Sequence, residues 1–314
     1  MIQTNKIKLQ LFNLPVLESL DDLSTQTKIS KKSLYLLSTY NHYFYNTINL
    51  NKKSGGIRIV YNPSYKLKSI QSWILNEILN KLHVSSCCKG FEKKMSIYDN
   101  AIQHINSNYV WRLDLKDFFP SITSKRVYQI FRLLDYNTLI STILTNLCTV
   151  DNLLPQGSPC SPKLSNLISI RMDNQLEKIT SAHGIIYTRY ADDLSFSCNS
   201  LDSIKITMKK IKTIIRNNGF VINDKKTKFT GPSSRKKITG LIIYGNKIGI
   251  GRERYRLLRA EIFSLINDND PKKIASIKGY LSFLKSVDKK RYELILKYIS
   301  KLKIQFKYIL EDLL

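Results

Sequence analysis

The sequence predicts an α+β protein: a central antiparallel sheet with helices on one face, followed by an all-helical, basic C-terminal unit. Three observations predict it. Residues 185–197, "IIYTRYADDLSFS", read as strand, turn, strand. Segments with apolar residues at helical spacing alternate with such short runs along most of the chain. From Arg252 onward the pattern is helical and rich in lysine and arginine.

The elements follow in order. Residues 1–50 read as mostly helical, "KKSLYLLSTYNHYFY" being the clearest case. "GGIRIVYNP" reads as a hairpin arm, with paired glycines, alternating Ile57 and Ile59, and a proline stop. "YKLKSIQSWILNEILNKL" is an amphipathic helix carrying Ile70, Trp73, Ile74, Ile78 and Leu82. "YVWRLDLKDFFPSI" starts as a strand and breaks at Pro120, and "SKRVYQIFRLL" is a helix. "LLPQGSPCSPKLSNLISIRMDNQLEKI" is a Pro/Gly turn feeding a long helix. After the strand–turn–strand, "LDSIKITMKKIKTIIRNNGFVINDKKTKF" is a helix stopped by Gly219 and then a strand. "TGLIIYGNKIGIG" is a hairpin turning at Gly245-Asn246.

Composition bounds the function. A chain of 314 residues, 43% hydrophobic, can bury a sizeable core and suggests two or three domains or subdomains. Its net charge of +26 favours a polyanionic partner, nucleic acid before an anionic membrane surface. No apolar run reaches the ~18 residues of a membrane span, and the N-terminus has no signal-peptide pattern. Five cysteines without CxxC spacing fit neither a disulfide framework nor a zinc site, and four scattered histidines also argue against zinc. Residues 235–314 hold 19 Lys/Arg against 8 Asp/Glu, with Tyr255, Tyr280, Phe283 and Tyr292 interleaved. That mixture suits nucleic-acid contact.

Three carboxylates carry the chemistry. Asp192 and Asp193 repel each other inside a β-like stretch, where Asp is disfavoured. Asp114 ends an apolar strand, which is costly unless its charge has a partner. If that strand pairs with the 185–197 hairpin, the three converge. Three carboxylates suit two magnesium ions, which prefer oxygen ligands and substrate phosphates. Two such ions, about 3.5–4 Å apart, activate an attacking hydroxyl and stabilise leaving pyrophosphate.

These residues carry a family resemblance. "YADD" between apolar strands resembles the motif C hairpin of reverse transcriptases, "LDLKDFFPSI" their motif A, "LPQGSPCSPKLSN" their motif B and "GFVINDKKTKF" their motif D. The four occur in the family's order, and the resemblance as a whole covers roughly residues 10–310. "NAIQH" at 100–104 is similar to the NAxxH element of bacterial retron reverse transcriptases, and "ITG" at 238–240 to their VTG element with Ile for Val. "GFEKKMSIYDNA", "TGPSS" and "GIGRERY" also look retron-like.

The resemblance implies a right-hand polymerase, with an antiparallel palm sheet and a helical basic thumb. Fingers and palm would interleave over residues 1–235, and a primer-grip hairpin and thumb would fill 236–314. It implies metal binding by Asp114, Asp192, Asp193 and the Leu115 carbonyl. Phe119 would stack under the incoming sugar and exclude a ribose 2′-OH, with Phe118 a core residue. Arg58 would clamp the triphosphate, with Lys52 or Lys53 as a second clamp. Gln156 and Gly157 would lie near the nucleotide's sugar, Ser158 and Lys163 being weaker candidates. Lys226 or Lys225 could protonate pyrophosphate. Tyr190 touches the primer end or packs the hairpin. His104 is a structural histidine or an RNA contact. Ile238, Thr239, Gly240, Arg252, Arg254, Arg256 and Arg259 are candidates for holding RNA.

For function, the resemblance implies a bacterial, cytoplasmic enzyme that copies a structured noncoding RNA, its template and primer, into DNA. Synthesis would start from a guanosine 2′-OH and give branched multicopy single-stranded DNA. Deoxynucleoside triphosphates would be substrates and two Mg2+ ions cofactors. No RNase H domain is expected, so a host RNase H would remove the template. A separately encoded effector would complete an anti-phage system. Two other readings stay open: an intron-type reverse transcriptase, and a noncatalytic RNA-binding scaffold with a polymerase fold.

Overall fold

The end of the stretch expected to be mostly helical is instead a strand, and it builds the first hairpin. A computed structural model describes residues 4–51, 55–268 and 271–305; Lys52, Lys53 and the end of the C-terminal unit lie outside them. The chain opens as expected with α1 (Lys6–Leu11), α2 (Leu20–Thr27) and α3 (Lys31–Thr39). Ser19 and Asp22 cap α2 reciprocally. Then β1 (Tyr45–Asn51) pairs antiparallel with β2 (Ile57–Pro63), from Tyr45↔Pro63 to Asn51↔Ile57. "YNTINLN" alternates Asn with β-branched and apolar residues, poor helix formers that a partner strand can use. Ile48, Leu50, Ile57 and Ile59 are exposed, so this hairpin projects from the core.

Next come α4 (Tyr65–Glu77), α5 (Ile97–Ile102), β3 (Tyr109–Asp114), α6 (Ser124–Leu133) and α7 (Thr138–Cys148). In α4 the expected stripe is buried at Ile70 and Ile74. The sequence reading did not include α7; Asn137 caps it, and it buries Ile140, Leu144 and Leu147. The long α8 (Ser161–Ser181) leads into β4 (Ile186–Tyr190) and β5 (Asp193–Cys198), then α9 (Leu201–Asn217) and β6 (Lys228–Thr230). The strand expected after Gly219 shrinks to those last three residues. Before it lie a single bridge, Leu115↔Ile222, and a 3-10 turn, Asp224–Lys226.

The central sheet runs β4-β5-β3-β6, every neighbour antiparallel. Its Trp111, Leu113, Leu194 and Phe196 share one core with Leu164 and Leu176 of α8 and Ile211 and Ile215 of α9. All five cysteines are free and buried. No helix among the described residues is long and apolar enough to cross a membrane.

A second core begins close to residue 236. The strands β7 (Lys236–Ile238), β8 (Leu241–Tyr244) and β9 (Lys247–Gly249) form a meander under α10 (Gly251–Asp268), α11 (Pro271–Val287) and α12 (Lys289–Gln305). Gly245, at φ +56, opens the expected two-residue turn between β8 and β9. Ile238, Leu241, Leu258, Ile277, Leu284 and Ile295 pack there together with Ala101 and Val110 from earlier in the chain.

The interleaved aromatics serve this core. Tyr255, Tyr280, Phe283 and Tyr292 all pack against it. The Arg291 guanidinium lies 5.8 Å from the Tyr255 ring, and the Lys285 ammonium 5.9 Å from that of Tyr292. These pairs pack the helices on one another, and all four rings stay only partly buried.

Candidate active site

The strand pairing that the carboxylates require is present. Asp114, last in β3, stands opposite Asp193, first in β5, and directly opposed residues of an antiparallel pair point to one face. Asp192 sits in the turn before β5, whose backbone is bent by Ala191 at φ +56. The Leu115 N–H donates to the Asp192 carbonyl at 2.9 Å and ties the turn to β3.

Around the trio the charges oppose. Burial pushes the Asp193 carboxyl up to about 6, and the Asp192 and Asp114 charges add to this against Arg112 and Lys226. Burial also raises Asp192, helped by Asp114 and opposed by Lys226 and Arg58. Lys226 Nζ donates to Asp114 Oδ2 at 3.0 Å, and Asn223 Nδ2 to Oδ1 at 3.1 Å. Of the two candidate lysines, Lys226 reaches the site, while Lys225 is exposed with no ion pair among the described residues. Asn223 and Arg112 were not picked out from the sequence. Asn223 comes from the loop before β6, a relation that only the fold creates, whereas Arg112 stands two residues before Asp114 on β3 itself.

The donor set fits a hard divalent cation. It consists of oxygens, and its carboxylates repel one another. The Leu115 carbonyl accepts no hydrogen bond among the described residues. Among the described residues no group of three or more His, Cys, Asp or Glu, the acidic trio included, is already gathered as a metal-binding cluster. An open site leaves positions for water and substrate phosphates.

The motif B turn is joined to the first hairpin. The Tyr61 N–H donates to the Gln156 carbonyl at 2.7 Å. Gly157 follows at φ +124, and a Cβ there would lie 2.3 Å from the Tyr61 oxygen, so only glycine fits. Ser158 is buried, its Oγ accepting from the Cys160 N–H. Lys163, a weaker nucleotide candidate, is buried against Glu92 at 2.7 Å, its charge spent on that pair. Arg58 is exposed on β2. Phe118 is buried, while Phe119 is partly buried beside it at 5.5 Å between ring centres.

A buried network supports the hairpin from below. Arg189 pairs with Asp173 of α8 at 2.8 Å, both fully buried, and Tyr187 Oη donates to Asp173 Oδ1 at 2.8 Å. Arg189 also donates to Asn166 Oδ1 and to the Ala191 carbonyl. Asn166 Nδ2 donates to the Gly90 carbonyl at 2.8 Å and to Glu92 Oε1 at 2.9 Å. Gly90 lies against the acidic turn, where a Cβ would come within 2.7 Å of the Ala191 nitrogen.

His104 is structural. It is fully buried, so it reaches no RNA, and it bonds Ser197 Oγ through Nδ1 and Thr188 Oγ1 through Nε2, both at 2.7 Å. Burial pushes it down to about 3. The unfolded imidazole binds a proton near pH 6.5, so its contribution to stability is complete above that value and is lost as pH falls toward 3. Between pH 7.5 and pH 5 the wild type should lose about 2 kcal/mol more than His104→Gln. Urea unfolding measures this; parallel pH profiles would refute it.

The RNA candidates separate. Ile238 is fully buried, a burial worth roughly 1.5–3 kcal/mol, and this corrects its reading as an RNA contact. Thr239 Oγ1 donates to the Ile97 carbonyl at 3.3 Å, and Gly240 lies near Arg254. The "ITG" turn therefore packs the meander onto α5. Arg259 lies over the Tyr298 ring at 4.1 Å. Arg252 and Arg256 instead line, with Arg235, a surface cavity of about 500 Å³. Tyr190 is partly buried, its ring 6.4 Å from that of Phe91.

Comparison with known proteins places this geometry. The family model described as Reverse transcriptase (RNA-dependent DNA polymerase) matches residues 50–243. The Retron Ec86 reverse transcriptase of Escherichia coli is 42% identical over 304 residues, 96% of this chain and 95% of that one. The Retron Mx65 reverse transcriptase of Myxococcus xanthus is 29% identical over 314 residues, 92% of this chain and 73% of that one. Among solved structures, a foamy viral protease-reverse transcriptase in complex with double-stranded DNA aligns with a TM-score of 0.43 at 17% identity, over 82% of this chain and 42% of that one. The intron-type and scaffold readings give way to these matches. The chain belongs to the retron reverse transcriptases and is an RNA-directed DNA polymerase with their α+β fold.

Proposed function

We propose that this enzyme copies a structured noncoding RNA, its own template and primer, into branched multicopy single-stranded DNA, starting from a guanosine 2′-OH. The observation that carries the catalytic part is the pairing of Asp114 with Asp193 beside Asp192. Those carboxylates and the Leu115 carbonyl would hold two magnesium ions, which when bound supply charge to lower the hydroxyl's pKa and stabilise the departing pyrophosphate. Phe119 excludes a ribose 2′-OH, Arg58 holds the triphosphate, and Gln156 with Gly157 seats the sugar. Lys226, already at Asp114, moves a proton to pyrophosphate. Tyr190 meets the primer end.

Residues 1–235 act as fingers and palm, and 236–314 as primer grip and thumb. The second core starting near residue 236 supports that division. The thumb's outward Arg252 and Arg256 hold RNA backbone, as a chain of net charge +26 favours. The enzyme works in the bacterial cytoplasm, a host RNase H trims the template, and a separately encoded effector turns the product into anti-phage defence. Likeness to retron enzymes supports these last points.

The test is expression with about half a kilobase of upstream flanking DNA. A discrete RNase-resistant single-stranded DNA should appear, shift after debranching enzyme, and vanish in Asp192→Asn/Asp193→Asn. Extension of an ordinary primed RNA without that product would overturn the branched-DNA reading and leave the polymerase.

A further inference from the structure

The loop between α4 and α5 holds an aromatic residue in an unfavourable state. Phe91 has φ +61, in the left-handed region where a bulky side chain crowds its own backbone. Its ring is 44% exposed, so it gains little burial there. The loop is clamped on both sides of it. Gly90 is pressed against Tyr190 and Ala191 and accepts from Asn166, while Glu92 is held by Asn166 and Lys163. With both neighbours fixed, the Phe91 side chain is pushed out toward the site. There its ring centre lies 6.1 Å from Phe119 and 6.4 Å from Tyr190, tilted 43° to each.

Those two rings define where Phe91 stands. On the reading above, Phe119 meets the incoming sugar and Tyr190 meets the primer end; the present inference rests on that reading. A ring between them faces the step from the primer's last nucleotide to the incoming one. Its loop is packed on the Tyr190–Ala191 backbone, which puts it on the primer side. We infer that Phe91 is a primer-binding residue, its exposed face packing against the terminal primer nucleotide so that the attacking hydroxyl is held in line. An aromatic face suits a base or sugar of any identity. It also gives a strained, half-exposed phenylalanine a contact that the protein alone does not supply.

The experiment uses the full chain extending a DNA primer on an RNA template. Phe91→Ala should raise the KM for primer–template about tenfold, the scale of one base–aromatic contact, and leave the KM for deoxynucleotide within about twofold. Phe91→Tyr should restore primer affinity. Phe91→Gly should show the same primer defect with an unchanged or higher melting temperature, since glycine relaxes the left-handed backbone. An unchanged primer KM overturns the inference, as does a rise in nucleotide KM instead. A melting temperature that falls with activity in Phe91→Gly also overturns it, because the ring would then be packing. Phe119→Val tests the underlying reading separately. If it leaves ribonucleotide exclusion intact, the sugar-gate role fails, while the Phe91 primer KM still decides the role of Phe91.

Discussion

Asp193→Asn is expected to cut RNA-templated DNA synthesis on the order of a thousandfold or more and to raise the melting temperature measured in chelator. The two effects share one cause. Asp193 faces Asp114 across the sheet and follows Asp192, and burial with both neighbouring charges drives its carboxyl up to about 6. Above that pH the penalty on folding is complete; it shrinks as pH falls from about 6 and is gone below the ordinary carboxylate value of 3.8. The sign is that of a carboxylate whose folded pKa is raised, so the penalty is present at neutral pH and disappears on acidification. Asparagine keeps the shape and removes the charge, a gain of about 1–3 kcal/mol. Calorimetry with EDTA and with magnesium should show the stabilisation in EDTA and its loss with magnesium, where wild-type Asp193 acquires a partner. A variant that is inactive and also less stable in EDTA would mean that the carboxylate holds the hairpin together.

The second large effect lies beneath the hairpin. Asp173→Ala should destabilise the protein by about 3–5 kcal/mol, because it leaves the Arg189 guanidinium buried without a counter-charge. Burial works against that guanidinium, and the Asp173 carboxylate reverses the effect so that its pKa is raised. Replacing the pair by Asp173→Leu with Arg189→Met should recover most of the stability, since an apolar pair has no desolvation cost. Activity should not return with it. Arg189 also bonds Asn166 and the Ala191 carbonyl, and so sets the turn that carries Asp192. Urea unfolding and primer extension on the three variants test both parts. A double variant no more stable than Asp173→Ala, or one with full activity, contradicts this account.

These particulars show what the sequence could reveal. The acidic trio was legible because strand pattern, turn residues and motif order all converge on it, and the Gly245-Asn246 hairpin because its turn chemistry is local. The hairpin arm β1 was not, because its apolar residues face outward and leave no burial period to read. Asp173 and Arg189 are 16 residues apart on a helix and a strand, so neither announces the other. Lys163 read as a substrate cation because its partner Glu92 is 71 residues away.

The seam at residue 236 has a practical consequence for domain exchange. Ile238 shares its core with Ala101 and Val110, and Thr239 bonds the Ile97 carbonyl. A recombinant that swaps only the C-terminal unit for that of a cousin would graft one half of a lock and leave the other behind. Breakpoints for working hybrids belong in pairs, one near 236 and one around α5, so that the helix travels with the meander it anchors.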